Sequence, residues 1–95
     1  MKYKISVIVA VYKAEKYFER CLRSLFEQTM TEIEYIFVDD CSPDNSMGVL
    51  ERVAHEYPSR QPHIKIIHHP KNKGVASARK SGLAVATGDF IAACD

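Results

Sequence analysis

Apolar and polar positions along the chain fall into two alternating rhythms. Ile5-Ser6-Val7-Ile8-Val9-Ala10-Val11 is β-branched and almost continuously apolar, the pattern of a strand covered on both faces. Over residues 15–28, Tyr17, Phe18, Cys21, Leu22, Leu25 and Phe26 recur at the spacing of one helical face, with charged and polar residues on the other. Ile33-Glu34-Tyr35-Ile36-Phe37-Val38 predicts a second strand that ends abruptly at Asp39-Asp40. Ser42-Pro43-Asp44-Asn45 offers a helix start, since proline tolerates the first turn and Ser or Asp can cap its free amides. That helix is expected to bury Met47, Leu50, Val53, Ala54 and Tyr57 and to stop before Pro58. A third strand is predicted around residues 64–67, then turn chemistry at Pro70-Lys71-Asn72-Lys73-Gly74. A third helix over residues 75–86 is expected to turn Val75, Ala78, Leu83 and Ala86 inward and to end at Thr87-Gly88. A fourth strand over residues 90–94 closes the sequence.

The order β-α-β-α-β-α-β with short connections implies right-handed crossovers, and so an α/β, Rossmann-like, mostly parallel sheet. Open sheets of this kind bind ligands at the carboxyl ends of their strands, where strand order reverses. If strand four returns beside strand one, the crevice lies between them, lined by the residues after Val11, Val38 and Cys94. A bare edge strand ending in Asp95 also predicts truncation inside a larger domain.

Composition narrows the classes. The 95 residues carry 13 Lys+Arg and 12 Asp+Glu for a net charge of +1, with 46% apolar and 26% charged residues. This describes one small globular domain and excludes a disordered chain or a polybasic nucleic-acid or membrane module. No apolar run approaches the ~20 residues that cross a bilayer. Cys21, Cys41 and Cys94 are odd in number and widely spaced, which argues against a disulfide framework or zinc site and fits a reducing cytosol.

Three places hold candidate chemistry. Ala10-Val11-Tyr12-Lys13, with Glu15 close behind, follows strand one without G-x-G-x-x-G, and no P-loop occurs elsewhere, which disfavours NAD(P), FAD and P-loop chemistry. Tyr12 at a strand end either stacks on a ligand ring or packs on the first helix. Asp39 and Asp40 must each have a task, because a buried unpaired charge is costly: accepting a ligand hydrogen bond, holding a cation or capping the next helix. Successive strand residues point to opposite faces, so one of the two is expected in the crevice and the other in a structural pairing. Asn72-Lys73-Gly74 opens a helix whose free amides favour anions, although glycine there is equally ordinary turn chemistry. Arg79, one turn on, faces either a diphosphate or Asp40. His55, His63, His68 and His69 read as surface residues of the third strand and its flanks.

Five stretches, residues 6–12, 20–29, 36–46 (with Val38-Asp39-Asp40-Cys41-Ser42), 72–82 (with Asn72-Lys73-Gly74 and Ala78-Arg79-Lys80) and 86–91 (with Thr87-Gly88-Asp89), resemble the amino-terminal half of family-two glycosyltransferases in order and spacing. The resemblance implies a GT-A fold, a nucleotide-activated sugar, by preference a UDP-sugar, and inversion at the anomeric centre. By matching position it implies Ala10, Val11 and Tyr12 against the nucleoside, with Glu15 near its rim. One acid of Asp39 and Asp40, Asp40 by preference, would accept the N–H of a uracil-type base, and Gly74 to Arg79 would border the nucleotide. Asp95 matches the first acid of a D-x-D motif that holds Mn²⁺ or Mg²⁺ on the diphosphate. Three residues depart from the pattern: Lys13 where Asn is usual, Cys41 where Gly is common, and Lys80 for Asn. The second acid, the catalytic base and the acceptor site are expected beyond Asp95, leaving residues 1–95 inactive alone.

The function this implies is a hexosyltransferase-type enzyme of polysaccharide biosynthesis, with a saccharide or lipid-linked acceptor, in the cytoplasm or at the inner face of the cell membrane. The alternatives are a non-catalytic nucleotide-binding module and a receiver-like signalling module. Val38-Asp39-Asp40 resembles the receiver acid pair, but that pair follows the first strand of its fold, and here strand three ends in His68-His69-Pro70.

Overall fold

The computed structural model describes residues 2–94. Its elements follow the chain as β1 (Ile5–Val11), α1 (Phe18–Phe26), β2 (Ile33–Asp39), α2 (Ser46–Ala54), a 3₁₀ turn (Gln61–His63), β3 (Ile64–His68), α3 (Val75–Val85) and β4 (Phe90–Cys94). The four strands form one parallel sheet in the order β3-β2-β1-β4, so β4 returns beside β1 as the strand pattern predicts.

The continuous apolar runs of β1 and β2 are explained by cover on both faces. Val7, Val9, Val11, Tyr35 and Phe37 meet Phe18, Leu22, Phe26, Leu50 and Val53 of α1 and α2, while Ile8, Ile36 and Val38 meet Ala78 of α3. Edge-to-face rings, Phe18 on Phe37 at 6.1 Å and Phe26 on Tyr35 at 5.1 Å, lock the larger core. Arg60 is buried beneath it. Its guanidinium donates to the carbonyls of Phe26 (3.0 Å), Met30 (2.9 Å) and Gln28, and so closes the carbonyl end of α1.

Two polar residues interrupt the apolar strands for a reason. Glu34 is fully buried on β2, where Oε2 accepts from Ser6 Oγ (3.1 Å), the Thr87 amide (2.9 Å) and Thr87 Oγ1 (2.6 Å), and Lys65 Nζ lies 3.0 Å from Oε1. Burial pushes this carboxyl upward, but the Thr87, Lys65 and Ser6 contacts outweigh it and hold the pKa below the ordinary value. Ser6 Oγ in turn accepts the Gly88 amide at 2.7 Å, which ties the α3–β4 connection to the sheet. A Cβ on Gly88 would come within 2.6 Å of the Ser6 nitrogen, so this approach requires glycine.

Three element boundaries and facings differ from the sequence expectation. Helix α1 begins at Phe18, and Tyr17, expected inward, is 56% exposed, because residues 15–17 form a turn docked on the next loop. Helix α2 begins at Ser46 and leaves Pro43 in the preceding loop, since Asp44 accepts from the hydroxyls of Ser42 and Ser46 and from the Ser46 amide. In α3 the inward face is made by Ala78 and Gly82, while Val75 and Leu83 are exposed. Small residues, not branched ones, bring this helix close to the sheet.

Candidate functional site

The site assembles at the carboxyl ends of the strands from three connections, residues 12–17, 40–45 and 69–74. The pairing of β2 with β3 sets Asp39 opposite His68, and the next residues, Asp40 and His69, continue side by side. Asp40 is 2% exposed and its amide donates to the Val11 carbonyl at 3.0 Å. Its carboxylate has every acceptor position engaged. Oδ1 accepts the Lys73 amide (2.9 Å) and lies 2.8 Å from His69 Nδ1, and Oδ2 accepts Asn72 Nδ2 and the Gly74 amide, both at 2.9 Å. An ionised carboxylate only accepts, so His69 donates through Nδ1–H and its Nε2 accepts from Ser81 Oγ at 2.8 Å. Burial pushes the Asp40 pKa up, but the His69 side chain and the Lys73 and Gly74 amides more than offset this and hold it below the ordinary value.

Gly74 takes φ +94° to aim its amide at Asp40 and opens α3. The helix start expected to favour an anionic ligand therefore already carries an anion, the protein's own Asp40. Asp39 turns the other way: Oδ1 accepts the Ser42 amide (3.0 Å) and Oδ2 lies 3.0 Å from His68 Nδ1. His68 is exposed as expected, whereas His69 is buried, so the expectation of a surface histidine is corrected there.

The two loops on either side of the β1–β2 pair hold each other. Ser42 Oγ accepts the Lys13 amide (2.9 Å), Ser46 Oγ the Ala14 amide (2.9 Å), Asp44 Oδ2 the Glu15 amide (3.2 Å) and Glu15 Oε1 the Asn45 amide (3.0 Å). The hydroxyls of Ser42 and Ser46, with the Glu15 and Ser46 amides, donate to Asp44 and depress its pKa to about 2. Lys13 (φ +50°) and Cys41 (φ +59°) both occupy the left-handed region. They are two of the three positions at which the sequence departs from the resembled pattern. Asn and Gly, the residues usual there, are those that tolerate this backbone best. The turn after the acid pair is thus kept with cysteine in it.

Ala10, Tyr12, Tyr17, Asp40 and Val75 line a cleft of about 160 Å³. Tyr17 also borders an adjoining hollow of about 720 Å³ formed with Lys13, Glu15, Lys16, Pro43 and Asp44. Of the residues singled out from sequence, Ala10, Tyr12 and Asp40 come together, Glu15 lies in the next hollow and Gly74 serves Asp40. Val11 does not line the cleft: strand alternation turns it with Val7 and Val9 into the core, where it is fully buried. Arg79 lies on α3 in a separate hollow with Ala76, Ser77, Lys80 and Leu83. Asp95 lies outside the described residues.

Tyr17, His69 and Ser81 were not anticipated as site residues, nor was Asn72 as a partner of Asp40, while Val75 falls within the Gly74 to Arg79 stretch expected to border the nucleotide. The usable signal for His69 was register, since a residue ending strand three must stand beside the residue ending strand two. Among the described residues no group of three or more His, Cys, Asp or Glu side chains could hold a metal ion, and Asp40 has no acceptor position left for one. Chemically, the cleft sets two tyrosine side chains beside the buried Asp40, whose carboxylate can take a ligand N–H only by sharing or releasing one of its four present donors. A second hollow, a groove of about 430 Å³ between α2 and β3, is lined by Met47, Leu50, Ala54, Ile64 and Ile66 together with the polar Glu51, His55, Gln61 and His68.

Residues 6–95 match the sequence profile of the family described as Glycosyl transferase family 2. The chain belongs to that family. This family-2 chain is 39% identical over 92 residues to the uncharacterised glycosyltransferase YibD of Escherichia coli (strain K12), which covers 97% of the chain and 25% of YibD. It superposes on S. aureus TarS 1-349 in complex with UDP-GlcNAc with a TM-score of 0.85 and 34% identity, over 97% of the chain and 26% of TarS. It also superposes on the mannosyltransferase PcManGT from Pyrobaculum calidifontis in complex with GDP-Man and Mn²⁺, with a TM-score of 0.85 and 25% identity, over 96% of the chain and 26% of that protein. The fold is that of GT-A glycosyltransferases, and the chain spans about a quarter of the length of these relatives.

Proposed function

We propose that the chain carries the donor-nucleotide site of a glycosyltransferase that moves a sugar from a UDP-sugar to a saccharide or lipid-linked acceptor. The observation that carries this is the convergence of Ala10, Tyr12, Tyr17 and Asp40 on one cleft at the carboxyl ends of a parallel sheet. The tyrosine faces stack on the base, and Asp40 Oδ2 takes the base N–H, sharing that oxygen with the Asn72 amide or displacing it. A cleft of about 160 Å³ has room for a nucleobase. That TarS binds UDP-GlcNAc agrees with the choice of a UDP-sugar, and that PcManGT binds GDP-Man makes guanine the competitor to test.

The reading places a divalent cation with Asp95 and groups beyond the described residues, and routes no step through Asp40. When bound, such a cation supplies charge stabilisation for the departing diphosphate. The described residues bind and orient the nucleotide, leaving the anomeric carbon open to an acceptor hydroxyl. The same reading places the protein in the cytoplasm or at the inner face of the cell membrane. Among the described residues, no helix is long and apolar enough to cross a membrane.

Calorimetric titration of UDP and GDP into the chain, with and without Mn²⁺, tests the proposal. UDP is expected to bind more tightly than GDP, and Tyr12→Ala to weaken it. No heat from UDP with a chain that shows a cooperative thermal transition would overturn the reading.

A further inference from the structure

The Asp40 carboxylate is held at both oxygens by the 72–74 segment, Oδ1 by the Lys73 amide and Oδ2 by Asn72 Nδ2 and the Gly74 amide, and that segment is irregular up to Gly74. His69 shares Oδ1 with the Lys73 amide, and its restraints come from regular structure. Its amide donates to the Asp39 carbonyl (2.9 Å) in continuation of the β2–β3 ladder, and its Nε2 meets Ser81 Oγ (2.8 Å) within α3. With the ring 6% exposed and both nitrogens engaged, the imidazole has one orientation available. A carboxylate can rotate about its last bond, and a donor fixed at two other points sets where that rotation stops.

We propose that His69 is a positioning residue of the nucleotide site, locking the Asp40 carboxylate so that its Oδ2 edge stays aimed at the cleft. This rests on the reading of the cleft as the nucleotide site. The Asp40–His69–Ser81 order is also that of a hydrolytic triad, but Ser81 lies inside α3, where the surrounding amides are committed to the helix and none is free to hold an oxyanion.

The test is UDP affinity, with a melting temperature measured in parallel, for His69→Asn, His69→Gln, His69→Phe and Ser81→Ala. Asparagine places an N–H where Nδ1 stands and keeps the bond to Asp40, whereas glutamine reaches the Nε2 position and loses it. His69→Asn is expected within ~3-fold of the parent, and His69→Gln and His69→Phe ~10-fold weaker, the loss of about one charge-assisted hydrogen bond. Ser81→Ala is expected to fall between. In the parent, the imidazole ¹⁵N spectrum should show the Nδ1–H tautomer. If His69→Gln binds UDP as the parent does, or affinity follows melting temperature alone across the series, His69 is merely structural and the proposal fails. If the parent itself does not bind UDP, the nucleotide-site reading fails first and takes this one with it. Should His69→Phe not fold, the Asn and Gln pair still decides.

Discussion

Asp40→Asn replaces a carboxylate that accepts four hydrogen bonds with an amide that accepts at one end and donates at the other. The least costly arrangement turns the new NH₂ toward His69, whose ring can switch tautomer and accept it. The Lys73 amide is then left facing a donor, at ~1–3 kcal/mol for a buried unsatisfied group. The bonds that remain lose their charge assistance, so the total loss is about 2–5 kcal/mol. A domain of this size has roughly 5–14 kcal/mol in all. Urea unfolding followed by circular dichroism at pH 7 reads the difference directly. The parent should also lose stability in acid. A carboxyl with a lowered folded pKa contributes fully above its ordinary value, about 4, and that contribution is lost as pH falls through the folded value. Asp40→Asn should flatten that part of the profile. A loss below ~1 kcal/mol with an unchanged acid limb would refute the view that Asp40 organises the 69–74 segment.

Other substitutions test other parts of the account. Arg60→Met removes the donors to the Phe26, Gln28 and Met30 carbonyls and should cost about 2–4 kcal/mol in urea unfolding; an unchanged midpoint would contradict the cap. Lys13→Asn and Cys41→Gly should each raise stability by roughly 0.5–1.5 kcal/mol, because they relieve a left-handed backbone, and a lowered melting temperature in either would count against that geometry. Toward iodoacetamide at pH 8, exposed Cys41 should react first, while burial and the Cys94 thiol 3.9 Å away push the Cys21 thiol up to about 11. Intact mass should show one rapid addition, and equal rates at Cys21 and Cys41 would contradict the packing.

The strands and their order were legible because they depend on local pattern and on a chirality rule that holds for any parallel sheet. The facing of α3 was not. Ala78 and Gly82 carry little hydrophobic signal, so Val75 and Leu83 drew the inward assignment although the close approach of helix to sheet excludes them. The start of α2 was missed because Ser42 and Asp44 serve a side-chain turn as well as they serve a cap. Around Asp40 the acid was recognisable and its partners were not. His69 and Asn72 lie 29 and 32 positions from Asp40, and Ser81, which bonds His69, lies 41 away; strand register brings His69 alongside, and the loop and helix after β3 bring the other two. The side chain of Val11 turns away from the cleft for a simpler reason: within three successive residues at a strand end, alternation sends the middle one to the opposite face.

Amide chemical-shift mapping of UDP on the ¹⁵N-labelled chain tests the central claim most directly, because it locates binding without presupposing activity. The largest shifts are predicted at Ala10, Tyr12, Tyr17, Asp40, Gly74 and Val75, with Tyr12→Ala raising the UDP concentration needed to saturate them. Saturable shifts centred instead on the Met47–Ile66 groove between α2 and β3, with the Asp40 region silent, would contradict it.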